Sequence, residues 1–258
     1  MSSILYEVKN HIAYVTINRP EVLNCFNLDT LKQLGDVVEQ IHHNPEVRVA
    51  IFTGAGDKSF SAGADLKERK SLTEHEVRRN VTKIREVFTA VDKLPQPTIA
   101  AVNGYAFGGG FELALSCDFR IAVEGAKMGL TELGWAIIPG AGGTQRLPRL
   151  IGQAKAMELI LTAKKLSSEE ALGYGIVNEV VSGDSLIQTA EQWAERMLQN
   201  GPIALKQAKY AIKQGMNVDL ETGLNLEAKA YEVTIPTKDR VEALVAFGEK
   251  RPPQFKGE

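Results

Sequence analysis

The stretch that most constrains this chain covers residues 98–146, where an apolar run, a glycine run and a helical pattern follow one another. The apolar run at 99–102 is typical of a buried strand, and the glycines at 108–110 lead into the helical pattern. Glycines between a strand and a helix let backbone N–H groups approach a ligand closely, and the helix N-terminus adds a partial positive field. The stretch therefore predicts a site for an anion, or for an oxygen that becomes anionic.

Two carboxylates accompany these glycines. Glu112 falls in the first turn of the predicted helix, and Glu132 precedes a second glycine cluster at 139–143. Backbone donors beside carboxylates that can move protons would suit acyl chemistry. The same residues also fit a structural alternative, in which the glycines permit close packing and Glu112 only complements the helix dipole. A dinucleotide-binding motif and a P-loop both fail to match the glycine spacing and its flanking residues.

The combined motifs resemble the signature of the enoyl-CoA hydratase/isomerase family, also called the crotonase family. The matching segments are IAAVNGYA at 99–106, GGGFELA at 108–114, CD at 117–118 and IPGAGGTQRL at 138–147. The resemblance covers essentially the whole chain. Within the family the chain is most similar to hydratases of methylglutaconyl-CoA and other short enoyl-CoAs, through SAGADLKER at 61–69 and TIPTKDR at 234–240.

The resemblance implies an α/β fold, a crotonase-like spiral of repeated strand–strand–helix units with a C-terminal helical oligomerisation element. We therefore expect a spiral core with the CoA-binding and catalytic site over residues 1–192. Residues 193–258 are expected to form a helical trimerisation region, giving a homotrimer or homohexamer. The pattern after residue 185 is almost purely helical, with breaks at 200–202, 215 and 235–236.

The implied activity is that of an enoyl-CoA hydratase, which adds water across the 2,3 double bond of a 2-enoyl-CoA to give the 3-hydroxyacyl-CoA. The resemblance points to fatty-acid or branched-chain amino-acid degradation, with methylglutaconyl-CoA as one candidate substrate. It places the oxyanion donors at the backbone N–H groups of Ala64 and Gly109. It assigns Glu132 to protonation of C2 and Glu112 to the attacking water.

An isomerase that moves the double bond is the alternative enzyme, and such relatives often keep only the glutamate that matches Glu132. The presence of both Glu112 and Glu132 favours the hydratase. A non-catalytic acyl-CoA or RNA-binding protein is a further alternative, but the predicted helix at 29–43 carries only Lys32 as a firm positive charge.

The resemblance also implies contacts to the CoA thioester from three parts of the chain. These residues are Cys25, Phe26, Ala62, Gly63, Asp65, Leu66, Lys67 and Gly140. Cys25 and Phe26 depart from the commonest family residues, and we interpret Cys25 as a small apolar substitute rather than a nucleophile. Lys67, Arg69 and Lys70 fit either contacts to the CoA phosphates or a solvated basic face. No metal or redox cofactor is implied, because coenzyme A is part of the substrate.

Composition narrows the class further. The chain has 258 residues with 44% hydrophobic content, and its formal net charge of −2 gives a general nucleic-acid binder no electrostatic support. The only cysteines, Cys25 and Cys117, form no metal or disulfide framework and suit a reducing compartment. No stretch has the apolar length of a membrane span, and the N-terminal residues lack a signal-peptide pattern. We therefore expect a cytoplasmic protein.

Five local patterns complete the expected fold. Alternation at 4–8 and 11–18 predicts a hairpin, and Asp29 is expected to cap the helix that follows. Helices are also predicted within 71–93, over 154–161 and from the Ser167-Ser168 pair.

Overall fold

The strands of this protein belong to one larger and one smaller sheet, within a computed structural model that describes residues 2–258. The larger sheet uses, along the chain, β1 (Ile4–Lys9), β2 (Ile12–Ile17), β3 (Val49–Gly54), β5 (Thr98–Val102), β7 (Phe119–Val123) and β10 (Glu179–Val181). The smaller sheet uses β4 (Ser59–Ser61), β6 (Tyr105–Phe107), β8 (Lys127–Gly129) and β9 (Leu166–Ser167). Both sheets belong to a first compact unit, which contains the residues up to Leu94 together with Thr98–Glu191.

The order of the strands follows a repeating path. In the larger sheet β1, β2, β3, β5, β7 and β10 are neighbours in that order, and only the β1–β2 hairpin is antiparallel. In the smaller sheet β4, β6 and β8 pair in parallel, and β9 is antiparallel to β8. From β3 to β8, each turn of the path adds one strand to each sheet before a helix returns the chain, whereas β1 and β2 both join the larger sheet. This topology confirms the predicted spiral of strand–strand–helix units.

Helices cover the sheets at positions that the apolar periodicity explains. In chain order these are α1 (Leu28–His43), α2 (Leu66–Lys70), α3 (Glu74–Asp92), α4 (Gly109–Ser116), α5 (Gly143–Ile151), α6 (Gln153–Leu161) and α7 (Ser168–Gly173). The apolar stripe of α1 is buried, as Leu34 and Ile41 show with 0% exposure. Strand β5, which leads to the glycine run, is buried along its whole length.

Two local expectations need correction. The cap of α1 is Asn27, whose side chain accepts a hydrogen bond from the Thr30 N–H, whereas Asp29 lies inside the first turn. Asn27 has the extended backbone that a capping residue needs, so the prediction of Asp29 was wrong. Helix α5 was not predicted, because it begins at a glycine and contains Pro148. The pair at 167–168 does start a helix, and Ser167 forms a capping box with Glu170.

A second compact unit contains Pro95–Pro97 and Gln192–Glu258. Its helices are the end of α8 (Leu186–Leu198), then α9 (Pro202–Gly215), α10 (Leu220–Thr234) and α11 (Lys238–Glu249). The breaks between them fall where glycine, proline and the 235–236 pair predicted them. Within the described residues, none of the helices has both the length and the apolar character that crossing a membrane requires. The assembly role of this region stays a prediction.

Candidate active site

Glu112 is a buried carboxylate held by two backbone donors. It lies in the first turn of α4 with 2% of its surface exposed. Its Oε1 accepts hydrogen bonds from the N–H groups of Ala141 and Gly143, each at 2.8 Å. Gly143 suits this contact because a Cβ there would lie 3.1 Å from the same oxygen. The second glycine cluster therefore fixes the orientation of Glu112.

Opposing effects set the acidity of Glu112. Burial disfavours the carboxylate and raises the pKa of Glu112 above its ordinary value, while the bonds from Gly143 and Ala141 and the charge of Arg146 act in the other direction. The bonds favour the ionised form because a carboxylate accepts hydrogen bonds more strongly than a neutral acid does.

Glu132 has a different environment. It begins a short 3-10 helix, Glu132–Trp135, and its Oε2 is buried with no hydrogen-bond partner among residues 2–258. Burial raises the pKa of Glu132 to about 7, with the Glu112 charge as the second cause. A Cβ on Gly108, the residue before α4, would lie 3.3 Å from Glu132 Oε1. The two carboxylates therefore both lie near the start of α4, and the charge of Glu112 favours the protonated form of Glu132.

Two amide groups meet beside the start of α4. A Cβ on Gly63 would lie 3.1 Å from the Gly109 nitrogen, and a Cβ on Gly109 would lie 3.8 Å from the Ala64 nitrogen. Neither N–H donates to an acceptor within the described part of the chain. Helix geometry explains the Gly109 group, since the first N–H groups of a helix have no intrahelical acceptor. Together these amides form a pair that can donate to one oxygen.

The Ala64 segment is fixed by a loop that lies far away in sequence. Ala62 donates to the Leu23 carbonyl at 3.0 Å, and Phe26 and the segment exchange two further backbone bonds, Phe26 N–H to Gly63 and Asp65 N–H to Phe26. The Arg19 guanidinium pairs with Asp65 at 3.1 Å. Asp65 in turn caps α2 through the N–H groups of its first turn. The position of the Ala64 amide therefore depends on an ion pair that the sequence analysis did not identify.

Asn24 is a second residue that the sequence analysis missed. Its side chain accepts from the Arg19 N–H and donates to the carbonyls of Ala55 and Ser59, and it is 1% exposed. Asn24 also has a positive φ of 56°. Asparagine tolerates this conformation and supplies both donor and acceptor, which a single sequence does not reveal.

The remaining residues predicted for substrate binding separate into three groups. Phe26, Ala64 and Asp65 line one small cleft, and the other residues lining it are Leu31, Glu68, Arg69, Asn80 and Ile84. The side chains of Leu66 and Lys67 are exposed and do not line that cleft. Gly140 lies against α3, because a Cβ added to it would lie 3.2 Å from the Val81 side chain.

Cys25 is half-buried beside the Arg19–Asp65 pair. Burial, followed by the charge of Asp65, raises the pKa of the Cys25 thiol to about 11. The thiol is therefore protonated at neutral pH, and a protonated thiol is a poor nucleophile.

Comparison with known proteins gives a consistent result. The family model for enoyl-CoA hydratase/isomerase matches residues 7–258. A short-chain-enoyl-CoA hydratase from Clostridium acetobutylicum is 45% identical, over 97% of this chain and 96% of the relative. The mitochondrial methylglutaconyl-CoA hydratase of Homo sapiens is 47% identical, over 98% of this chain and 76% of the relative. A crystal structure of an enoyl-CoA hydratase from Bacillus anthracis superposes with a TM-score of 0.97 at 51% identity, covering 99% of this chain and 100% of that one.

Proposed function

The chain belongs to the enoyl-CoA hydratase/isomerase family, whose enzymes act on acyl-CoA thioesters, and from that premise we propose that it hydrates a short 2-enoyl-CoA to the 3-hydroxyacyl-CoA. The observation that carries this proposal is the pairing of Glu112 and Glu132 at the start of α4, beside two amides without acceptors. Hydration needs both kinds of group, since water must lose a proton and C2 must gain one.

The amide pair would stabilise the enolate, which is the least stable species of the reaction. When water adds to C3, the electrons of the double bond move to the thioester oxygen and form an enolate. The N–H groups of Ala64 and Gly109 would donate to that oxygen, and loss of one such donor costs about 3 kcal/mol in other enzymes. Because they come from two fixed backbone segments, they need little rearrangement as the charge develops.

The glutamates would divide the proton transfers. Glu112, ionised and fixed by two N–H bonds, accepts a proton from water as the C3–O bond forms. Glu132, whose raised pKa of about 7 keeps a substantial fraction protonated at neutral pH, donates its proton to C2 as the enolate collapses. The balance closes when Glu112 passes its proton back to Glu132 through solvent or product. We propose that no metal or redox cofactor takes part.

The acyl group has an apolar surface available beside Glu132. Trp135 and Ile138, in and just after the 3-10 helix, are 65% and 71% exposed. An apolar chain that covered them would remove this surface from water, which is favourable. This apolar surface would suit an acyl group whose C2 and C3 lie next to the carboxylates.

A panel of CoA thioesters tests the proposal directly. Crotonyl-CoA and branched 2-enoyl-CoAs should lose the absorbance of the conjugated thioester and yield 3-hydroxyacyl-CoA. A 3-enoyl-CoA offered in the same assay reports isomerisation. Rapid conversion of the 3-enoyl-CoA without hydration of any 2-enoyl-CoA would contradict the proposal and favour an isomerase.

One observation favours an acyl group with a second, distal carboxylate, as methylglutaconyl-CoA has. Arg69 is half-buried, lines the cleft next to Ala64, and its guanidinium has no acceptor among residues 2–258. Its charge also reaches the acyl side of the site, because it lowers the pKa of Glu132 against the effect of burial. A half-buried guanidinium without a hydrogen-bond acceptor favours an anionic ligand.

Arg69→Met distinguishes a distal carboxylate from a CoA phosphate as that anion. If Arg69 binds the distal carboxylate, kcat/KM should fall by roughly 10-fold or more for methylglutaconyl-CoA and much less for crotonyl-CoA. If Arg69 binds a CoA phosphate, KM should rise equally for both substrates. Lys67→Met is the matched control, because Lys67 is an exposed cation on the same helix and does not line the cleft.

A further inference from the structure

Arg146 lies on α5, behind the backbone that holds Glu112. Its Nη1 donates to the Ala141 carbonyl at 2.8 Å, and its side chain is only 18% exposed. Gly142 has a φ of +111° and lies directly against the guanidinium, where a Cβ would overlap Arg146. The loop at 141–143 is thus shaped around this side chain.

Both backbone groups of Ala141 are hydrogen-bonded. Its N–H donates to Glu112 Oε1, while its carbonyl accepts from Arg146. The guanidinium is anchored in turn by Asp92 at the end of α3, 3.7 Å from Nη2. A chain of contacts therefore runs from Asp92 through Arg146 and the 141–143 backbone to the Glu112 carboxylate.

We propose that Arg146 is a positioning residue, which holds the 141–143 backbone so that the Ala141 and Gly143 amides keep Glu112 aimed at the substrate water. The inference rests on the proposed function, in which Glu112 activates that water. Without Arg146, Gly142 has open space in place of the guanidinium and the Ala141 carbonyl loses its donor. Both amides can then turn away from Glu112, and small misplacements of catalytic groups reduce rates severely.

The charge of Arg146 gives the proposal a second, independent consequence. Two charged groups act on or beside Glu112, namely Glu132 from the 3-10 helix and Arg146 from α5. Arg146 is paired with Asp92 from α3, and Arg69 from α2 acts on Glu132. Arg146 lowers the pKa of Glu112, so removing it should raise that pKa further. Because the base must be ionised, the acid limb of the pH–rate profile should then move to higher pH.

The test measures crotonyl-CoA hydration from acid to alkaline pH in the full-length protein. Arg146→Met should lower kcat by roughly 10- to 100-fold with little change in KM, and should move the acid limb to higher pH. Arg146→Lys should recover part of kcat and return the acid limb of the pH–rate profile most of the way to its wild-type pH. Lysine restores the positive charge but not the planar guanidinium donors. Arg149→Met is the matched control, since Arg149 lies on the same helix and its side chain bonds only to Gln145 among residues 2–258.

Asp92→Asn supplies a variant that retains the Arg146 side chain and removes only the charge of its anchor. Removing the anion leaves the guanidinium charge less compensated, so the acid limb should move to lower pH, opposite to Arg146→Met. A folded Arg146→Met enzyme with the wild-type rate and profile would overturn the inference while leaving the proposed function intact. If Arg146→Met does not fold, an unmoved limb in Asp92→Asn overturns it instead. Absence of hydration in the wild-type protein would reject the proposed function itself.

Discussion

The two glutamates differ in what surrounds their oxygen atoms. Glu112 Oε1 accepts two N–H bonds at 2.8 Å, which stabilise the ionised form. Glu132 has a buried Oε2 without a partner among the described residues, and an unpaired buried oxygen favours the neutral acid. The two environments separate the acidities of chemically identical groups, and this separation underlies the proposed assignment of base to Glu112 and acid to Glu132.

The coupling between the glutamates can be measured. Glu112→Gln removes the charge that is the second-largest cause of the raised pKa of Glu132, so that pKa should fall below about 7 while burial still keeps it above the ordinary value. A carboxyl titration by infrared or carbon-13 spectroscopy, compared between wild type and variant, checks this. An unchanged or higher Glu132 pKa would show that the two groups are not coupled as the geometry indicates.

The same pKa has a consequence for stability. Folding raises the pKa of Glu132, so the folded state binds this proton more tightly than the unfolded state does. The resulting contribution to the free energy of unfolding is fully present below the ordinary glutamate pKa and is lost as pH rises through about 7. Glu132→Gln should therefore show a smaller loss of unfolding free energy between pH 5 and pH 8 than the wild type does, measured by denaturant titration at each pH.

Hydration should depend on both glutamates, whereas exchange of the C2 proton should depend mainly on Glu132. Glu112→Gln and Glu132→Gln should each reduce hydration by roughly 10²-fold or more, the scale of lost acid–base catalysis, and the double variant should be less than additive. Exchange of the C2 proton with solvent deuterium should disappear in Glu132→Gln and persist in part in Glu112→Gln. Full hydration activity in Glu112→Gln would contradict the mechanism.

At the scale of elements, the fit of α4 against β4 places the Gly109 amide. Gly110 lies so close to the Ser61 backbone that a Cβ would collide with the Ser61 carbonyl oxygen. Gly110→Ala should therefore push the start of α4 away from β4, lower the melting temperature by several degrees and reduce kcat, because Gly109 and Glu112 move with the helix. Gly173→Ala should be neutral or slightly stabilising, because a Cβ added to this helical glycine would meet no neighbouring side chain or packed backbone within 4 Å.

The contrast between contiguous and distant contacts explains what could be predicted from the sequence. The strand, glycine run and first helical turn that carry Gly109 and Glu112 are adjacent in the chain, so local periodicity and turn chemistry predict them. Asn24, Arg19 and Arg146 each contact groups that are distant in sequence, as in the side-chain pairs of Arg19 with Asp65 and of Arg146 with Asp92. The error at Asp29 has a similar origin, because Asn27 and Asp29 are both good caps and local geometry chooses between them.

At the scale of the whole molecule, the helices of the second unit leave large apolar side chains in water. Phe247, Leu220 and Met216 are 86%, 80% and 78% exposed. The largest apolar patches on monomeric proteins are modest in area, and larger ones mark interaction surfaces. The family resemblance supplies a trimer or a hexamer as the assembly that would cover these residues.

We therefore expect self-association that depends on this apolar surface. Sedimentation at micromolar concentration should give the mass of a trimer or hexamer for the wild type. Phe247→Glu should shift the distribution towards smaller species, because a charge cannot be buried in an apolar contact without a partner. Glu227→Gln, a charge change of the same size at an exposed polar position of α10, should leave the assembly unchanged. A stable wild-type monomer at micromolar concentration would contradict the prediction, and these apolar side chains would then need a different partner.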